Sequence, residues 1–226
     1  MSRIGVTGCQ NSGKTTLIKD ILAKWPGYTT PDKTYRDILK EKGLPCNQNT
    51  TPETQTIIMD FLCDQIIGKT STDCIITDRT PIDALVFSMY QNFKGVEGFT
   101  DEYIEKQIIL ARESLSFYDI IFHIPIVAGH DIPLVADDLR DIDPSYRTEI
   151  NNIFSAIFST YFTQTGPYFK FGDCPAVIEI FGTPEERMEM VKLYLDDSGN
   201  PFGEDESLVT DGIMTLDGTI YETDSK

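Results

Sequence analysis

The sequence predicts an α/β fold in three layers, with a five-stranded parallel sheet covered by helices on both faces. Two observations lead there. Short apolar runs alternate with segments of helical spacing along most of the chain. The first of these runs passes straight into a glycine-bearing loop and then a helix, the opening unit of a doubly wound sheet. A chain of 226 residues, 40% hydrophobic and 24% charged, is also long enough to bury a core of that kind.

The elements follow in order. Ile4-Gly5-Val6-Thr7 reads as the first strand, and residues 16–24, apolar at 17, 18, 21 and 22, as a helix. Tyr28-Thr29-Thr30 supplies a short second strand. Residues 34–42 form a helix closed by Gly43, and Thr51-Pro52-Glu53 opens a long one. Cys74 to Asp78 is a buried strand. Thr80-Pro81-Ile82-Asp83 starts the next helix with a cap, a proline in the first turn and a carboxylate three residues on. A helix over 101–116 leads to a strand over 119–126, and Pro144 to Thr163 makes another long helix. Ala176 to Phe181 is the fifth strand, and Thr183-Pro184-Glu185-Glu186 caps the closing helix. Beyond Leu195 the chain turns acidic and glycine-rich. It fits either a disordered tail or a hairpin turning at Asp217-Gly218.

Gly8-Cys9-Gln10-Asn11-Ser12-Gly13-Lys14-Thr15 spells G-x-x-x-x-G-K-[ST]. Each fixed position has a physical purpose. The glycines let successive N–H groups turn inward as an anion nest, Lys14 places a compact cation at the β- and γ-phosphates, and the Thr15 hydroxyl is set to ligate Mg²⁺. The following helix points its N-terminus at the same phosphates. The chain is therefore expected to bind a nucleoside triphosphate, with Gly8, Asn11, Ser12, Gly13, Lys14, Thr15 and Thr16 as the contacts and ATP with Mg²⁺ as cofactors.

Charge and cysteine usage narrow the partners. The net charge is −17, and the last 31 residues carry nine acids against one lysine. Such a surface repels nucleic-acid backbones, although a pocket of a few cations can remain locally positive for a small anion. The five cysteines, odd in number and without a C-x-x-C pair, suit reduced thiols rather than a disulfide frame or a zinc site. Cys9 fits a space-filling position in the loop or an oxidisable one. No apolar run reaches membrane-spanning length, and the first strand begins too early to leave room for a signal peptide, so a cytoplasmic protein is expected.

The Gly8–Thr15 loop, the strand end at Ile75-Ile76-Thr77-Asp78-Arg79 and the arginine-bearing stretch around Arg140 together resemble the P-loop kinases of nucleosides, nucleotides and nicotinamide riboside. The resemblance covers residues 3 to 195. It implies a P-loop NTPase domain over 1–195 with a helical lid, and an acidic extension over 196–226. It implies further that Asp78 holds the Mg²⁺ shell or accepts the acceptor's proton, and that Arg79 contacts a phosphate or the substrate. Asp32 and Arg36, after the second strand, fall where this group grips its acceptor, though the segment lacks the group's Asp/Glu-Pro-Gly triplet. Asp32 and Asp78 stay open as alternatives for the base. Arg140 corresponds to a lid arginine, with Arg147 as a second substrate ligand, and Gly182 and Thr183 fall against the nucleotide base. Asp83 reads as a first-turn carboxylate, His123 as a core histidine, His130 as a solvated loop residue, and Gln55, Phe61 and Gln65 as the wall or rim of an acceptor pocket.

The resulting expectation is a catalytic set of Lys14, Asp78, Arg79 and Arg140 acting on a small nucleoside, nucleoside monophosphate or similar riboside. The alternatives are a kinase of a modified base or end in DNA, and an NTPase coupled to a macromolecule. No N/T-K-x-D motif supports a GTPase. A homodimer is compatible with the sequence.

Overall fold

Residues 2–70, 72–127, 143–202, 212–214 and 220–222 are described by the structure, a computed structural model. The chain begins with β1 (Ile4–Thr7), whose four residues are all buried, followed by α1 (Lys14–Lys24), α2 (Tyr35–Lys42), a 3₁₀ turn over Asn47–Asn49 and α3 (Pro52–Asp64). Then come β2 (Ile76–Asp78), α4 (Pro81–Phe93), α5 (Asp101–Leu115), β3 (Ile120–His123), α6 (Pro144–Phe162), β4 (Ala176–Glu179) and α7 (Pro184–Val191). Threonines cap several starts, as the sequence requires. The Thr51, Thr100 and Thr183 hydroxyls accept backbone N–H bonds at α3, α5 and α7, and Thr80 with Asp83 closes a capping box on α4.

The sheet is parallel throughout, in the order β2-β1-β3-β4. It has four strands rather than the five expected. The missing one, residues 28–30, is reduced to a single bridge between Thr29 and Ile75, made by Thr29 N–H to Cys74 O and Ile76 N–H to Thr29 O. Pro31 explains this, because it offers no N–H to extend a ladder whose other end is closed off by Pro26 and Gly27.

Side chains alternate across the sheet and feed two separate cores, which gives the three layers. Ile4, Val6, Ile120, Phe122 and Ile178 pack with Leu17 and Ile21 of α1 and Val191 of α7. Ile121 and Val177 face the opposite way, into a larger cluster built by α3, α4, α5 and α6. His123 lies in that second layer, fully buried against the rings of Phe154 and Phe158, with Nδ1 3.3 Å from Glu179 Oε1.

The chain beyond α7 turns back onto the first layer. The Trp25 indole N–H donates to Asp196 O, and the Tyr28 hydroxyl donates to Gly199 O at 2.6 Å. Farther on, β5 (Gly212–Met214) and β6 (Ile220–Glu222) pair antiparallel as the sequence's hairpin alternative has it, with the Asp217-Gly218 turn outside the described residues.

Candidate active site

Every strand of the sheet delivers its C-terminal end to one edge, where ligands gather in open parallel sheets. β1 runs out into the phosphate loop, and its conformation explains the sequence. Gly8 has φ +142°, and a Cβ there would stand 2.6 Å from the Ile124 carbonyl; Gly13 has φ +89°. Asn11 takes φ +54°, which asparagine tolerates better than most side chains.

Cations surround this loop and hold its carbonyls. Lys14 Nζ donates to Gly8 O at 2.8 Å and Cys9 O at 2.7 Å. Arg147, from the first turns of α6, donates to Asn11 O at 3.0 Å, and Arg187, from α7, donates to Ser12 O at 2.8 Å. Holding carbonyls outward favours N–H groups turned inward, the disposition an anion nest needs. Burial, reinforced by the charge of Arg79, pulls the Lys14 ammonium down to about 8, against the opposing pull of Asp83 and Asp78. Burial pushes the Cys9 thiol up, outweighing the nearby cations, so Cys9 is a space-filling thiol rather than a reactive one. Within the loop, the Gln10 amide is buried, and among the described residues neither its nitrogen nor its oxygen has a partner.

β2 ends on Asp78 and Arg79. Asp78 Oδ2 accepts from the Thr15 hydroxyl at 3.2 Å, which brings together the two oxygens expected around Mg²⁺. Magnesium commonly takes one or two protein oxygens and fills the rest of its shell with phosphate and water, so this pair fits the ion. Among the described residues no cluster of three or more His, Cys, Asp or Glu side chains offers a protein-only metal cage.

Arg79 takes φ +90°, an unusual angle for a non-glycine residue, and turns its side chain into the fold. Its Nη1 pairs with Asp83 Oδ1 at 2.8 Å and its Nη2 donates to the Tyr35 hydroxyl at 3.2 Å. The guanidinium lies 4.6 Å from the Tyr35 ring and 5.5 Å from the Phe87 ring. Burial opposes this charge, but Tyr35, Asp83 and Asp78 more than offset it and hold Arg79 protonated. Asp83 keeps its helix-capping place and adds more: Oδ2 accepts from the Thr7 hydroxyl at 2.6 Å and from Thr80 N–H at 2.8 Å.

Beside this pair lies a small recess, partly open to solvent, lined by Tyr35, Asn47, Gln55, Arg79, Asp83 and Phe87 among others. Gln55 is buried there; its Nε2 donates to the Thr50 hydroxyl at 2.9 Å, while its Oε1 has no partner among the described residues. Arg36 Nε donates to the Tyr35 hydroxyl at 3.2 Å, so one phenol oxygen links Arg36 to Arg79.

Asp32 is exposed and does not line this recess. Arg147 meets the phosphate loop rather than the recess. The Thr183 hydroxyl caps α7 beside Gly182, which has φ +90°. Thr16 is exposed at the start of α1, and Arg140 and His130 lie outside the described residues. Tyr35, Gln10 and Arg187 were not singled out from the sequence. An arginine one turn after the Thr183 cap was the available signal for the last, Gln10 lies inside the loop motif, and nothing local marked Tyr35.

With this geometry in hand, the sequence model of the AAA domain family matches residues 3–164. The chain belongs to the AAA domain family. No curated protein matches this AAA domain chain in sequence. Among solved structures, deoxyadenosine kinase from M. mycoides with the products dCMP and dCDP has a TM-score of 0.59 at 15% identity, covering 84% of this chain and 95% of that one. The same kinase with dATP has a TM-score of 0.56 at 16% identity, over 84% and 97%. NadR with NAD and AMP-PNP has a TM-score of 0.55 at 13% identity over 84% of this chain, which spans about half the length of NadR, 48%. The fold of this AAA domain chain is thus that of the P-loop nucleoside and nucleotide kinases. Among its described residues no helix is long and apolar enough to cross a membrane.

Proposed function

We propose that the protein is an ATP-dependent phosphotransferase acting on a nucleoside, a nucleoside monophosphate or a similar riboside. The observation that carries this reading is the placement of Asp78. It bonds Thr15 of the phosphate loop on one side and precedes Arg79, which lines the recess, on the other. ATP occupies the nest formed by Gly8, Asn11, Ser12, Gly13, Lys14, Thr15 and Thr16, with its base toward Gly182 and Thr183. Lys14 leaves the loop carbonyls for the β- and γ-phosphates. Thr15 and Asp78 would hold Mg²⁺, which would supply charge neutralisation on the transferring phosphoryl group.

The acceptor enters the recess. Gln55 presents a buried acceptor oxygen to an N–H donor on the base, and Phe87 and Tyr35 supply apolar walls. Arg79, fixed by Asp83 and Tyr35, and Arg36 beside them give the recess guanidinium N–H donors that suit a phosphate or a developing charge. In the transfer, a bond forms between the acceptor oxygen and the γ-phosphorus while the bond from that phosphorus to the β–γ bridging oxygen breaks in line. The acceptor proton passes to Asp78 and then to solvent. Asp78 is preferred over Asp32 as this base because it stands between loop and recess, whereas Asp32 points to water. The work is mainly positioning and charge placement. The acidic surface argues against a DNA acceptor.

ATP consumption across a panel of nucleosides, deoxynucleosides, their monophosphates, nicotinamide riboside and short DNA, with a control lacking any acceptor, tests the reading. Strong stimulation by one small acceptor supports it and names the substrate. Equal hydrolysis across the whole panel sinks it in favour of an NTPase with a macromolecular partner.

A further inference from the structure

Arg187 belongs to α7, beyond the residues 3–164 that the family model matches and outside the loop motif. Its side chain is 5% exposed and reaches back across the first layer, from the helix that follows Gly182-Thr183, to the Ser12 carbonyl. Among the described residues no carboxylate lies within ion-pair reach of it, and its Nε is buried with no partner. Its acidic neighbours on α7 are turned away: Glu186 serves the Thr183 backbone in the capping box, and both Glu185 and Glu186 are exposed. Burial alone pulls the guanidinium's pKa down.

A buried cation without a counter-charge weakens a fold, and replacing such a group by an apolar side chain of similar volume is often neutral or stabilising. Packing of α7 on α1 therefore gives no reason for arginine at this position. The group it touches does. Ser12 is part of the anion nest, so bound phosphate would supply the negative charge that the described residues around Arg187 lack.

We propose that Arg187 is a nucleotide-positioning residue, which pins the Ser12 carbonyl so that the loop N–H groups face the phosphates and which is electrostatically balanced only when a nucleotide is bound. It also ties the loop after β4 to the phosphate loop, linking the two ends of the nucleotide site. This rests on the nucleotide-binding half of the proposed function and not on the acceptor.

The test compares wild type, Arg187→Met and Arg187→Lys by thermal melting with and without Mg²⁺-ATP, by calorimetric titration with Mg²⁺-ATP, and by steady-state kinetics. Without nucleotide, Arg187→Met is expected to melt at or above the wild-type temperature. Its Kd for Mg²⁺-ATP is expected to rise at least tenfold, with kcat changing much less than KM for ATP, and Arg187→Lys recovers part of the affinity. Wild-type affinity in Arg187→Met overturns the proposal. So does a variant that fails to fold or melts several degrees lower without nucleotide, since the charge would then be structural. A wild-type protein that binds no ATP removes the nucleotide reading and the proposal together. Tight ATP binding without acceptor-stimulated turnover removes only the kinase reading and leaves Arg187 in place.

Discussion

The phosphate loop and the recess meet through the consecutive residues Asp78 and Arg79, yet their positive charges are held by opposite means. On the loop side, the bonds of Lys14 and Arg187 run to backbone oxygens at Gly8, Cys9 and Ser12, and neither cation has a carboxylate within ion-pair reach among the described residues. On the recess side, Arg79 is met by Asp83, which is itself anchored by Thr7 and Thr80. The proposed nucleotide site would therefore leave its cations free of direct ion pairs to answer an anion, whereas the charge of Arg79 beside the recess is already met by Asp83. Stability and binding should consequently respond in opposite senses to substitutions on the two sides.

The strongest way to break this contrast is Lys14→Ala. Loss of the cation is expected to reduce phosphoryl transfer by more than about a thousandfold, the scale of a charge group acting on the transferring phosphoryl. The melting temperature should stay within a few degrees of wild type. Undiminished transfer in a coupled assay would remove the loop from the chemistry.

Asp83→Ala acts in the reverse direction. It leaves Arg79 buried without its counter-charge and frees the Thr7 hydroxyl, so unfolding in urea is expected to show a loss of about 3–5 kcal/mol. A loss below about 1 kcal/mol would mean that the recess charge is not neutralised internally and that the two sides are alike.

A pH series sharpens the loop side. With Lys14 held at about 8, a rising share of the free protein carries a neutral lysine above that pH. Nucleotide binding favours the charged form, so it takes up a proton. Affinity for Mg²⁺-ATP should be highest below pH 8 and about tenfold weaker at pH 9 than at pH 7, one decade per unit above the free pKa. Calorimetry in buffers of different ionisation enthalpy measures the uptake directly, and a flat profile would contradict it.

The smallest expected effect is on the recess side. Gln55→Leu removes the unpartnered Oε1 and should raise KM for the acceptor about tenfold, the scale of one buried hydrogen bond, while KM for ATP stays constant. Equal changes in both constants would show that the two sides are not separable.

How far the site was legible in the sequence follows the same division. The loop could be read because its conformation is local: Gly8 and Gly13 at positive φ, then Lys14 and Thr15 opening α1, are consecutive residues whose angles and roles their own types dictate. The helix starts at Thr51, Thr80 and Thr183 were legible for the same reason, since a cap and its partner lie three residues apart. The second strand was not, because β-propensity at Tyr28-Thr29-Thr30 says nothing of whether a neighbour can extend the ladder past Pro31.

Sequence by itself determined the alternation of strands and helices, the anion nest, and the position of Asp78-Arg79 at a strand end. Tertiary structure alone decided what each arginine answers to. Arg79 and Arg187 are the same residue type, and each sits close behind a threonine or ahead of one at a helix start. One finds Asp83 and Tyr35, and the other, among the described residues, finds the Ser12 carbonyl. Backbone angles depend on adjacent residues, whereas the energy of a buried charge depends on what the fold brings within a few ångströms through space.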